Sequence, residues 1–310
     1  MSTETKEAVV NRENPLFGRK VYFINPPLII ENYVVEELRS EEYEAFVIDN
    51  YHHAKPVLEN NKDAMAYFYI DDEMDYDQWY NYIKSFNNSE TLKTIFIGVI
   101  SIKANINVKE KFMMDLKLPG GFIMLNNKID ITSKKIRDIL DLNGAKGRRK
   151  YIRLASKDLR EVNGYLAYKD KLYNFSIDDI SSVGFSCSYP MDMIEVFPKN
   201  LLHPCVSLTL GRRTIVVSSV VFGTRNNENK GSSVLLFTKE VSKEVRKSIR
   251  NFIFDILDEK HNEFVKNSIQ DLTDYSKTIE VTEDTSVPAF ADVADSFMGT
   301  LEDLPEIPES

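Results

Sequence analysis

The stretch AMAYFYIDDEMDYDQWYNYIKSFNNSETLKTIFIGVI, residues 64–100, carries two short apolar runs on either side of a helical pattern. The runs, 64–70 and 94–100, are nearly continuous in apolar residues, as strands buried on both faces require. Between them DYDQWYNYIKSF (75–86) has apolar residues at helical spacing. Outward from this unit the rhythm repeats. KVYFINPPLII (20–30) is followed by a helical ENYVVEELRSEE (31–42), and YEAFVID (43–49) is another run. GFIML (121–125) is a fifth, and ITSKKIRDILDL (131–142) is helical again. Five such units predict a doubly wound α/β domain with a parallel sheet over 15–143.

NGAKGRRK (143–150) breaks the pattern with two glycines and four bases and predicts a polar linker. Beyond it the texture is alternation and tight turns. REVNGYLAY, a KDK turn and LYNFSIDDI predict a β-hairpin over 160–180. VGFSCSY, MIEVFP, CVSLTLG, TIVVSSVVFG and SSVLLFT follow as expected antiparallel strands, which suggests a small barrel over 144–266. VSKEVRKSIRNFIFDILDEKHNEFV (241–265) places Val241, Val245, Ile249, Phe252, Ile253, Ile256 and Leu257 on one helical stripe, expected to pack on the barrel.

The chain has 310 residues and a net charge of −9, but the charge is uneven. Residues 271–310 hold eleven acids and one base, so the other 270 residues sum to +1. The acidity therefore belongs to a tail, expected to be largely disordered over 267–310, and a disordered lead is expected over 1–14. Within the tail Phe290, Val293, Ala294, Phe297, Met298 and Leu301 would share a face if helical, the alternative being a short docking helix. A hydrophobic content of 43% excludes disorder throughout. No apolar run reaches the roughly 18–20 residues of a membrane span, and no apolar leader is seen. The two cysteines, Cys187 and Cys205, suit a reducing cytosol, so a cytoplasmic location is expected.

Two clusters carry chemistry. Arg148-Arg149-Lys150-Tyr151-Ile152-Arg153 puts four cations in six residues, and Asp179-Ile180-Ser181-Ser182-Val183-Gly184 falls where a strand ends. A guanidinium fork can meet a phosphate, or guanine O6 and N7, with two parallel bonds, which lysine cannot reproduce. A second Arg-x-x-x-Arg, Arg246 and Arg250, lies in the last helix and reads as a solvated face. No P-loop, dinucleotide glycine pattern or nucleophile triad is present, so nothing positive suggests an enzyme. His52-His53 lacks a third metal ligand.

Arg149-x-x-x-Arg153 followed by Asp179-x-Ser181-x-x-Gly184 is similar to the paired motif of PilZ domains, over about residues 146–260. The resemblance implies binding of cyclic di-GMP in bacterial second-messenger signalling, with no further cofactor. It implies that Arg149 and Arg153, with Arg148 beside them, close over the ligand as a mobile arm. Asp179 would accept from guanine N1–H and N2–H₂, and Ser181 would bond a phosphate or exocyclic group. Gly184 would supply φ > 0 or a close backbone approach to the ligand. The first domain resembles a response-regulator receiver with Asp71 in the phosphoacceptor place. It departs from that pattern at Asn25-Pro26-Pro27, where Mg²⁺-binding acids belong, and at Leu125 or Asn126, where a lysine belongs. A degenerate receiver used for protein contacts is the expectation. A phosphorylation-driven regulator, a nucleic-acid binder using the basic linker, and a PilZ-like domain acting only through protein contacts stay as alternatives.

Overall fold

The computed structural model describes residues 18–125, 128–158, 162–227 and 229–281, with side chains through 268 except Ser156. The expected lead (1–14), Asn126 and the 290–301 stripe lie outside the described residues.

Strands β1 (Val21–Ile24), β2 (Ala45–Ile48), β3 (Met65–Tyr69), β4 (Phe96–Ser101) and β5 (Gly121–Met124) form a parallel sheet in the order β2-β1-β3-β4-β5. That order is a doubly wound one, so helices must cover both faces. Every residue of β1 and β3 is buried, which is why these runs show no alternation. One face packs on α2 (Ala54–Glu59), α3 (Tyr76–Asn88) and α4 (Ile106–Asp115) through Val57, Leu58, Trp79, Ile83, Phe86 and Phe112. The other packs on a π-helical turn, Ile30–Val35, continuing as α1 (Glu36–Ser40), and on α5 (Ile129–Leu142). Asp75 and Gln78 close α3 with reciprocal side-chain-to-backbone bonds. Helix α4 is absent from the sequence expectation because it buries only Phe112, while Ile106, Met113 and Met114 stay exposed.

Strands β6 (Arg153–Ala155), β7 (Val162–Tyr168), β8 (Lys171–Ser181), β9 (Gly184–Pro190), β10 (Leu202–Leu210), β11 (Arg213–Asn226) and β12 (Lys230–Phe237) are antiparallel. The order β8-β7-β10-β11-β12-β9 closes by pairing β9 with β8, giving a six-stranded barrel. Short β6 pairs with β8 beyond the end of β7. The β7–β8 turn holds Lys169 and Asp170 at φ 49° and 59°, the left-handed pair a two-residue hairpin favours.

Two expectations are corrected. MIEVFP is no strand: Met191–Val196 is a 3-10 turn. Its Met193 and Val196, with Phe197 just beyond it, are buried at helical spacing in the barrel core, and Pro198 follows, a residue that discourages strand pairing. The last helix, α6 (Lys243–Val281), runs past the 241–265 expected of it. No Gly or Pro interrupts the chain between 243 and 281.

Helix α6 serves both cores. Val245, Ile249, Phe252, Ile253 and Ile256 pack on the barrel, while Phe264 and Val265 pack on the sheet domain and Leu257 touches both. His261 lies 5.5 Å from the Tyr22 ring and 5.0 Å from Phe46. Arg39 grips Asp258 with two bonds, 2.8 and 2.6 Å. Sheet and barrel accordingly belong to one compact unit, which ends at Lys266.

Candidate ligand site

The linker leaves α5 and is pinned at once. Ala145 is buried, and its carbonyl accepts from the Arg19 amide at 3.0 Å. Gly18 lies so close that a Cβ there would sit 2.1 Å from the same oxygen. The chain then passes Arg148 and Arg149 and enters β6 after the Ile152 amide donates to Glu42 Oε2 at 3.1 Å.

The β6–β8 ladder sets Arg153 opposite Ser181 and Ala155 opposite Asp179. Leu154 and Ile180 point into the barrel core, so Arg153 and Asp179 occupy the outer face. The Arg153 guanidinium is 3.5 Å from Asp179 Oδ1. Asp179 Oδ2 accepts the Ser186 hydroxyl at 2.6 Å. A bulge between Ile177 and Asp179 lets Asp178 take Ser188 in the same way, at 3.0 Å.

Ser181 and Gly184 build the turn. Ser181 is 4% exposed and donates to the Gly184 carbonyl at 3.0 Å. Gly184 does not adopt a positive φ. A Cβ there would lie 2.3 Å from the Leu235 carbonyl, so its close approach is to β12 of its own barrel.

Arg149 and Arg153 line a cavity of about 300 Å³ together with Lys20, Lys146, Glu42, Glu44, Tyr151, Ile152 and Leu257. Four cations face two acids, so the wall favours an anion. Burial raises the Glu44 pKa, with Lys20 at 4.0 Å opposing it. Arg148 is exposed and is not part of this wall.

Sequence reasoning missed Glu42. This loop acid of the sheet domain has φ 69° and a side chain 7% exposed. Besides Ile152 it accepts Ser182 Oγ at 2.6 Å and Arg250 Nε at 3.0 Å. The reading of Arg246 and Arg250 as a solvated face is corrected: Arg246 donates to the carbonyls of Val241, Ser182 and Thr238 at 3.3, 3.2 and 2.7 Å. The Glu42 bonds and the Arg246–Ser182 bond span more than sixty residues, beyond the reach of any local pattern.

Asp71 stands in the loop after β3 with both oxygens engaged. Oδ1 accepts Tyr76 Oη at 3.1 Å and Ser101 Oγ at 2.5 Å, and Oδ2 accepts the amides of Ile102 and Lys103. The carboxylate thus shapes the loop after β4. His52 and His53 form a 3-10 turn capped by Asn50. Among the described residues no group of three or more His, Cys, Asp or Glu could hold a metal ion, and no helix is long and apolar enough to cross a membrane.

No protein-family model matches the chain, and no curated protein matches it. Solved structures resemble part of it. YcgR from Escherichia coli in complex with c-di-GMP is 14% identical over 40% of this chain and 52% of that one, with a TM-score of 0.33. The MrkH–c-di-GMP complex of K. pneumonia is 19% identical over 38% and 57%, with a TM-score of 0.34. The PilZ domain of E. coli YcgR with c-di-GMP is 13% identical over 37% of this chain and 96% of that one, with a TM-score of 0.31. The chain spans about half the length of the YcgR and MrkH chains.

Proposed function

We propose that this chain is a cyclic di-GMP-binding effector that holds its ligand without changing it. The observation that carries the reading is the Arg153–Asp179 pair on the outer face of β6–β8, beside a cation-lined cavity reached by Arg149. A pair at 3.5 Å with a half-exposed arginine is loosely held and can be exchanged for ligand bonds. Arg153 would turn to a phosphate or to guanine O6 and N7, and Asp179 would then accept guanine N1–H and N2–H₂. Arg149 would close from the linker, with Arg148 adding a cation at the mouth. Ser181 and Gly184 would serve by keeping the turn beneath Asp179 in shape.

Ligand closure on the linker would alter how the sheet domain and barrel present themselves to a protein partner, contacted through the sheet domain or the tail. A cytoplasmic setting suits such a messenger. Against phosphorylation control stands the full engagement of Asp71 by Tyr76, Ser101 and two amides. Calorimetry with cyclic di-GMP tests the reading. The native chain should bind, and Arg149→Ala/Arg153→Ala should lose about 1.5–3 kcal/mol per missing charged bond. No heat at millimolar ligand, or equally tight binding of unrelated single-stranded nucleic acid with steep salt dependence, would overturn it.

A further inference from the structure

Glu42 belongs to the sheet domain, yet all three of its donors lie beyond the linker. Ile152 sits between Arg149 and Arg153 on the arm. Ser182 sits in the turn between β8, which carries Asp179 and Ser181, and β9, which begins at Gly184. Arg250 comes from α6. One carboxylate therefore ties both halves of the arginine–aspartate site to each other and to the sheet domain.

The backbone adds a second observation. Glu42 adopts φ 69°, a left-handed conformation that glutamate rarely takes. Such strain persists where surrounding bonds over-determine it. Here Oε2 takes the Ile152 amide, while Oε1 takes Ser182 and Arg250, and the side chain is 7% exposed. Its position at the cavity wall completes the case.

We infer that Glu42 is the positioning residue of the ligand site: it holds the arginine arm against the Asp179 turn so that the arm need not be ordered when the ligand arrives. This rests on the cyclic di-GMP reading above for the identity of the ligand, but not for the tether itself. A side chain that pre-orders a binding segment raises affinity by sparing that ordering cost. Neutral glutamine keeps one acceptor but loses the charge that faces Arg250. Removing Ser182 Oγ alone loosens only the turn end of the tether.

The test uses the full chain and two readouts. Trypsin cuts after Arg148, Arg149, Lys150 and Arg153, so its rate reports the arm directly. Glu42→Ala should be cut there several-fold faster than native and should bind cyclic di-GMP roughly tenfold more weakly, the effect of losing charged bonds that order the arm. Glu42→Gln should fall between, and Ser182→Ala should show a smaller change of the same sign, which keeps the test open if Glu42→Ala does not fold. In an Arg149→Ala/Arg153→Ala background Glu42→Ala should cost no further affinity, whereas a purely structural role would add its own loss. Native affinity and native cutting in the Glu42 variants would overturn the inference. A native chain that ignores cyclic di-GMP while Glu42→Ala is cut faster overturns the ligand reading and leaves the tether standing.

Discussion

Gly184 shows how a single residue can satisfy a motif for a reason the motif does not state. Its missing Cβ leaves room for the Leu235 carbonyl at a place where a side chain would approach to 2.3 Å. Gly184→Ala is therefore expected to cost about 1–3 kcal/mol in urea unfolding, with or without ligand, because backbone must move. Arg250 makes the converse point. In the sequence it stands four residues after Arg246 on a helix, a spacing that reads equally as a solvated pair. Its partner Glu42 lies 208 positions away, and no local pattern encodes that distance. Arg250→Ala should leave the buried Glu42 carboxylate without its cation and lower stability by about 1.5–3 kcal/mol, measured by the same unfolding.

Elements were legible where burial left a clear apolar pattern. The parallel strands announce themselves as unbroken apolar runs because both faces are buried, and α3 as a stripe at helical spacing because one face is. Helix α4 and the 191–196 turn leave little: the first buries a single phenylalanine, and the second spans six residues, too short for its helical spacing to stand out from an apolar run. The strand ladder also decides what the site contains, since β6 pairing with β8 is what sets Arg153 beside Asp179. The loop after β3 illustrates an element whose acid does structural work. Trp79, the sole tryptophan, donates from Nε1 to the Asp72 carbonyl at 2.9 Å and so reports on this loop. Beryllofluoride with Mg²⁺ is expected to leave Trp79 fluorescence unchanged. A saturable change would restore Asp71 as a phosphoacceptor.

At the scale of the whole molecule, sequence texture drew a boundary near 143–150 that packing then bridges. Because α6 finishes both cores, sheet and barrel should melt in one calorimetric transition, with Ile249→Ala lowering it by about 2–5 kcal/mol of stability. Two resolved transitions would show that α6 does not join them. Acid should weaken the whole. Burial lowers the pKa of both His203, in the barrel, and His261, on α6, below their ordinary 6.5. The unfolded chain therefore binds more protons just below 6.5, and stability present above that value is lost as pH falls through the folded pKa values. His261→Phe should flatten the slope measured between pH 7 and 5. Glu44 acts in the opposite sense, since its raised pKa favours the folded state at lower pH.

Leu257 belongs to both cores and also lines the cavity beside Arg149 and Arg153. A ligand seated there, as proposed above, would press on a side chain that neither half owns alone. On the function proposed above, displacing Leu257 would shift the packing of sheet and barrel together, as one concerted adjustment and not as a relay from one to the other.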